Sequence, residues 1–189
     1  PHLYAKLGYD SPADFVPVAR FGIGQLALVV PVSSPITSVA DLLARARATP
    51  GSLNYGSNGN GTPPHLAAEQ LKRMAGIEAV HVPYKGGGAL LTALLGSQVD
   101  WAIEGLTPLL PHVKAGTLRA LAVSGARRVP AWPDVPTLAE AGVTGYEYIG
   151  WTGIAAPAAT PQPIVERLGS EINRIATSDE GRRFFALAG

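Results

Sequence analysis

Asn54-Tyr55-Gly56-Ser57-Asn58-Gly59-Asn60-Gly61-Thr62-Pro63-Pro64-His65 decides how this chain is organised. Leu53 to Gly56 reads as the end of a short strand. Ser57 to Thr62 is a loop of small residues only, and Pro63-Pro64 opens a helix running to about Met74. Proline suits a first helical turn because N–H groups there lack an internal partner and its φ is preset. Thr62 is the expected N-cap. The order is therefore strand, glycine-rich loop, helix N-terminus. Unpaired amides and the helix dipole put partial positive charge at such a point, and glycines let the backbone approach a ligand closely. Ser57, Asn58, Asn60 and Thr62 add neutral donors, so the stretch reads as an uncharged cradle for an anion.

Spacing narrows the anion. Gly56-x-x-x-x-Gly61 matches the first half of a phosphate-binding loop, but Thr62-Pro63 stands where Lys and Ser or Thr are required. A Gly-x-Ser-x-Gly nucleophile elbow fails too, because Tyr55 sits two residues before Ser57. A weaker anion such as a carboxylate remains, alongside the plain alternative of a βα turn rich in Gly and Asn for conformational reasons.

Working outward, Gln25 to Val30 is a buried strand by its apolar run, preceded by an irregular segment over residues 1–25 with a helical turn at Pro1-His2-Leu3-Tyr4 and a turn at Tyr9-Asp10-Ser11-Pro12. Ser38 and Asp41 approximate a capping box for a helix with Val39, Leu42, Leu43 and Ala46 on its apolar face. Thr49-Pro50-Gly51 ends that helix. The central helix is expected to carry Leu66, Ala67, Leu71 and Met74 inward. Ala79 to Pro83 forms the next strand, and Tyr84-Lys85-Gly86-Gly87-Gly88 repeats the small-residue loop before a helix from Ala89 to Leu95. Val99 to Ile103 is a strand leading into Glu104-Gly105-Leu106-Thr107-Pro108. Leu109 to Lys114 is helical, Leu118 to Val123 a strand, Thr137 to Ala141 a helical turn or two, and Tyr146 to Ala155 a strand. Ile164, Leu168, Ile172 and Ile175 share one face of a helix opened by Thr160-Pro161, and Ser178 caps another. Alternating strands and helices predict an α/β, mostly parallel sheet. In such sheets ligands sit at strand carboxyl ends, so the loops after Gly56, Pro83 and Ile103 should converge.

Composition excludes several function classes. The 189 residues are 47% hydrophobic and 15% charged, enough apolar material for one large domain or one lobe and part of another. The net charge of +1 gives no basis for nucleic-acid or anionic-membrane partners. No apolar run reaches transmembrane length. His2, His81 and His112 are scattered without metal-ligand spacing, and no cofactor is expected.

Several motifs together are identified with a known family. Tyr55-Gly56-Ser57-Asn58-Gly59-Asn60-Gly61-Thr62, His65-Leu66-Ala67, and His81-Val82-Pro83-Tyr84-Lys85-Gly86 resemble the Bug family, the substrate-binding proteins of tripartite tricarboxylate transporters. The likeness continues through Leu94-Leu95-Gly96-Ser97-Gln98-Val99-Asp100, Leu109-Leu110-Pro111-His112-Val113-Lys114-Ala115-Gly116, Leu118-Arg119-Ala120-Leu121-Ala122-Val123 and Pro133-Asp134-Val135-Pro136-Thr137-Leu138-Ala139-Glu140-Ala141-Gly142. The resemblance implies a two-lobed periplasmic-binding-protein-like fold of type II, the Venus flytrap. It implies a small carboxylate ligand, often a dicarboxylate, held between the lobes by amides, hydroxyls and waters, with membrane permease subunits as partners and a periplasmic location. The family's opening strand and its ligand-clasping loop are not matched here. The resemblance therefore implies one complete lobe at 26–148, a remnant of the first lobe and hinge at 1–25, and a hinge crossing with returning helices at 149–189. Hinge strands left exposed by the missing part would favour self-association.

The expected ligand-binding residues are Ser57, Asn58, Gly59, Asn60, Gly61, Thr62, Tyr84, Lys85, Gly86, Glu104 and Thr107. Lys85 reads equally as a solvated surface charge, and Glu104 as a surface carboxylate after a strand. A Glu104 that lines the pocket would repel a second carboxylate and accept an amine or hydroxyl. His65 either donates to a ligand or satisfies the loop backbone, with the second favoured. Trp151 is expected in hinge core rather than over the ligand. Two other functions compete with transport: a co-receptor presenting ligand to a membrane sensor, and a hydrolase with Ser57 as nucleophile, His65 as base and Glu69 as orienting group.

Overall fold

The computed structural model describes residues 6–188, and the turn expected at Pro1-His2-Leu3-Tyr4 lies outside them. The chain divides into two compact units: Gln25–Ile149, and the residues up to Gly24 together with those from Gly150 onward.

In the Gln25–Ile149 unit, five strands form a sheet in the order β3-β2-β4-β1-β5. They are β1 (Phe15–Pro31, whose last seven residues lie in this unit), β2 (Asn54–Ser57), β3 (Val80–Pro83), β4 (Trp101–Gly105) and β5 (Leu118–Val123). β2 pairs in parallel with β3 and β4, while β1 is antiparallel to both β4 and β5. Four strands thus share one direction and β1 opposes them, so the expected mostly parallel sheet is a mixed one.

The core follows from the period of two along β1. Leu26, Leu28 and Val30 join one apolar cluster with α2 (Val39–Ala48) and α3 (Pro63–Ala75). Ala27 and Val29 join another with α4 (Gly87–Leu95) and α5 (Leu106–Lys114). Alternate side chains of a strand face opposite sides of its sheet, so helices cover both faces. Each helix starts for a local reason. Ser38 accepts from the Asp41 N–H at the start of α2, while the Asp41 carboxylate reaches back to the Thr37 N–H, one residue before the expected partner. α3 ends at Gly76, whose φ of 63° is the left-handed cap glycine tolerates best.

Several sequence expectations are corrected. Leu66 and Met74 are 45% and 39% exposed; the buried face of α3 is Pro64, Ala67, Ala68 and Leu71, because small residues allow the helix to sit close to the sheet. Glu104 is a strand residue of β4, and Leu106 and Thr107 already belong to α5. Thr137 to Ala141 does make the expected single helical turn, with the Ala141 N–H donating to the Thr137 carbonyl at 2.9 Å, and Thr137 also bridges to Val123.

In the other unit the segment expected to be irregular before residue 25 carries regular structure from Ser11 onward. α1 (Ser11–Asp14) is capped by the Asp10 carboxylate, and β1 begins at Phe15. Pro17, Gly22 and Gly24 weaken a strand locally; pairing with β6 (Ile149–Pro157) supplies what propensity lacks. The two strands expected to seek another copy are therefore hydrogen-bonded to each other. α6 (Gln162–Ala176) and α7 (Asp179–Ala188) follow, with Ser178 accepting from the Gly181 N–H. Ile164, Leu168 and Ile175 are exposed, and α6 buries Val165 and Gly169. Trp151 is 71% exposed, not hinge core.

Candidate ligand site at the carboxyl edge of the sheet

β2, β3 and β4 run the same way, so the loops that leave them meet at one edge. The Gly59 α-carbon faces the Tyr84 carbonyl: an added Cβ would lie 3.5 Å from that oxygen. A Cβ at Gly87 would lie 3.6 Å from Asn58 Nδ2 and 3.7 Å from Glu104 Oε2. Asn58, Gly87 and Glu104 thus come together from three successive strand–helix junctions.

The first helix end offers less than its sequence suggests. Pro63 and Pro64 carry no N–H, which removes two of the amides an anion would use. The Gly61 N–H donates to His65 Nδ1 at 3.0 Å, and the Gly59 N–H to Ser57 Oγ at 3.1 Å. Thr62 occupies the N-cap, but its hydroxyl donates to the Gly59 carbonyl at 2.8 Å and caps nothing. His65 therefore takes the structural role. Gly59 and Gly61 have φ of 124° and 76°, a region that admits glycine at low cost.

Ser57 is fully buried. Its hydroxyl lies 2.6 Å from His81 Nε2 and 3.2 Å from the Gly59 carbonyl, so it orders the loop from beneath. This corrects two expectations. Ser57 presents no free hydroxyl to a ligand, and its imidazole partner is His81, not His65. Glu69 is engaged elsewhere, accepting from the Tyr55 hydroxyl at 2.5 Å and from Lys72 at 2.7 Å. The Ser57–His65–Glu69 arrangement is not assembled.

Beneath the loops, aromatic rings stack across the sheet. Tyr55 is opposite His81 on β3 and opposite Trp101 on β4. Ring centroids are 4.9 Å apart for Tyr55–His81, 4.8 Å for Tyr55–Trp101 and 4.1 Å for His65–His81. Burial, aided by the nearby His65, holds His81 below the usual imidazole range. Burial pushes the Tyr55 phenol up, and its bond to Glu69 adds to this. Glu69 remains below the usual carboxylate range because Lys72 and Tyr55 outweigh its burial.

The second helix end is more open. Gly86 is the N-cap of α4, with φ of 96°, and the N–H groups of Gly87, Gly88 and Ala89 begin the helix without intrahelical partners. Glu104 reaches the same place. It is 8% exposed, its Oε1 accepts from the Gly105 N–H at 2.6 Å, and its Oε2 has no partner among the described residues. Burial pushes this carboxyl up, against smaller opposing effects from the Gly105 N–H and the Asn58 amide.

Of the expected residues, Asn58, Gly59, Tyr84, Gly86 and Glu104 gather here. Asn60, Lys85 and Thr107 are exposed, and Lys85 makes no ion pair among the described residues. Gly87 and His81 were not anticipated. Gly87 had the same signal as Gly86, a glycine after a parallel strand. His81 was visible as a polar residue in the strand just before Tyr84.

The family model for the tripartite tricarboxylate transporter family receptor matches residues 1–187. The chain belongs to that family. A UPF0065 protein from the tcbD-tcbE intergenic region of Pseudomonas sp. strain P51 is 41% identical over 178 residues, covering 93% of this chain and 53% of its own length. Protein BugT of Bordetella pertussis is 33% identical over 187 residues, covering 99% and 57%. Among solved structures, R. palustris Rpa4515 with adipate superposes with a TM-score of 0.92 at 39% identity, covering 98% of this chain and 62% of that one. MatC from Rhodopseudomonas palustris with bound malate gives 0.90 at 29% identity, covering 99% and 64%. This receptor-family chain thus spans about half the length of the curated relatives it matches. Its fold is the α/β fold of periplasmic binding proteins, present in part. Family members are solute-binding proteins, and no described helix here is long and apolar enough to cross a membrane.

Proposed function

We propose that this chain is the ligand-holding part of an extracytoplasmic, periplasmic solute-binding protein, which captures a small carboxylate for the membrane permease of a tripartite tricarboxylate transporter. The observation that carries this reading is the convergence of Asn58, Gly87 and Glu104 beside the unpaired first amides of α4. An anion gains there from oriented N–H groups without a cationic clamp. Relatives holding adipate and malate support the carboxylate class, and a dicarboxylate is the finer reading. Residues 26–148 are read as the second ligand-binding lobe, and 1–25 and 149–189 as first-lobe and hinge segments. The proposed ligand contacts are Asn58, Tyr84, Gly86 and Glu104, with Gly59 and Gly61 shaping the loop. A hydrolase is not proposed, because Ser57 is buried and lacks its expected base. A co-receptor role would use the same site.

Calorimetric titration of adipate, malate and succinate into this chain tests the reading. One lobe offering two or three charge-assisted hydrogen bonds, each worth roughly 1.5–3 kcal/mol, against an association cost of at least ~4 kcal/mol, should bind in the roughly millimolar range. Saturable heats that vanish in Gly87→Val support it. The absence of heat with every acid overturns it.

A further inference from the structure

Two imidazoles hold the glycine-rich loop. His65, in the first turn of α3, accepts the Gly61 N–H at Nδ1 over 3.0 Å, the one hydrogen bond this amide makes among the described residues. His81, on β3, reaches the Gly59 end through Ser57: its Nε2 lies 2.6 Å from a hydroxyl that accepts from the Gly59 N–H. The two rings stack with centroids 4.1 Å apart. Gly59 and Gly61 lie outside helix and strand, so bonds of this kind, and not a regular element, set the shape of the loop.

The two anchors answer differently to a proton. An imidazole nitrogen accepts only while it carries no hydrogen. Protonated His81 still donates from Nε2 to the Ser57 hydroxyl and keeps its anchor. Protonated His65 carries a hydrogen on Nδ1, which then meets the Gly61 N–H donor to donor, and that anchor is lost. Turning the ring over offers no escape, because it puts Cδ2 where Nδ1 stood. Two imidazoliums at stacking distance would repel, so the pair takes one proton, and burial disfavours placing it on His81. Glu69 on α3 faces both rings and favours the proton, while Lys72 on the same helix opposes it at His81; these two form an ion pair at 2.7 Å. The Tyr55 phenol on β2 stays uncharged, its titration pushed far up by burial.

We propose that His65 is an acid-operated latch on the glycine-rich loop: neutral, it holds Gly61 through Nδ1, and one proton releases Gly61 while Ser57 and His81 keep Gly59 in place. His65 is thus a positioning residue, and the latch works whatever solute the chain holds.

The test follows the ligand-free chain, labelled with 15N, over the range in which imidazoles change charge, from about pH 8 to about pH 5. The ring nitrogens of His65 report its proton, and the Gly61 amide reports the latch. With the ordinary pH dependence of amide exchange removed, Gly61 is expected to exchange about tenfold faster at the acid end. Its midpoint should coincide with that of the His65 ring, while Gly59 keeps its protection. In His65→Asn, whose Oδ1 takes the place of Nδ1 and accepts without titrating, Gly61 should stay protected throughout. A Gly61 amide indifferent to the His65 proton, or one that responds equally in His65→Asn, overturns the latch. If that variant does not fold, coincidence of the two midpoints in the unaltered chain supports the latch and their divergence overturns it. The carboxylate reading is tested separately by titration, so it stands or falls on other data.

Discussion

Ser57 Oγ and His81 Nε2 lie 2.6 Å apart, joining the start of the glycine-rich loop to the neighbouring strand. The hydroxyl also accepts from the Gly59 N–H, so one buried atom fixes both strand pairing and loop shape. Ser57→Ala leaves an imidazole nitrogen and an amide without partners, and unsatisfied buried groups cost about 1–3 kcal/mol. Urea denaturation should show a loss of that size. Assay with an activated ester should show no turnover in either form, and a burst abolished by Ser57→Ala would restore the hydrolase reading.

His81 gives stability a pH dependence. Its folded-state value lies below the ordinary 6.5, chiefly through burial. Between 6.5 and that lowered value the unfolded chain binds more protons than the folded one, so stability falls as pH drops through this window. It is fully present above 6.5. Denaturation midpoints measured from pH 7.5 downward should decline below 6.5 in the natural chain, and less steeply in His81→Phe. Equal slopes would remove His81 as the source.

Glu104 acts with the opposite sign. Burial raises its folded-state value above 4.5, so the folded chain holds the proton more tightly. Its contribution is present below 4.5 and is lost as pH rises through the raised value. Glu104→Gln removes a desolvated charge and should stabilise the chain at neutral pH by about 1–3 kcal/mol. The gain should shrink toward pH 4, as urea midpoints across that range would reveal.

The proposed place of Gly59 and Gly61 in the ligand site can be separated from their place in the fold. Gly59→Val and Gly61→Val force a branched side chain to φ of 124° and 76°, at roughly 1–3 kcal/mol each. Gly51→Val carries a similar penalty at φ of 75°, but in the turn that precedes β2. Loss of carboxylate binding in the first two, with binding kept in the third, is the expected titration result. Unchanged affinity in both loop variants would refute their place in the site.

The legible part of this chain was its periodicity and its punctuation. The strand over Leu118–Val123 and the N-cap Ser38 follow from local pattern alone. Loops after Gly56 and Pro83 converge because parallel strands bring their carboxyl ends together, which the alternation of elements foretold. The illegible part was pairwise. Nothing local says that Ser57 meets His81 instead of His65, since that depends on the register of β2 against β3. The cost of Pro63-Pro64 is legible in the sequence: the residues that open α3 well are the ones that strip it of donors. β1 ran past its expected start because β6, more than a hundred residues away, is its partner. Glu104 is visible in the sequence as a carboxylate after a buried strand, but its burial depends on where β4 gives way to α5.

The rings of Tyr55, His81 and Trp101, a few residues before the loops, and of His65, just after the first loop, stack and bind three strands and a helix into one layer. That layer separates two kinds of position. Below it, an exchange disturbs the sheet; above it, Asn58 and Gly87 lie in the loops and outside the apolar clusters. If the loops hold a solute as proposed, its preference could be altered there by a few exchanges while the stacked layer stays as the unchanged foundation.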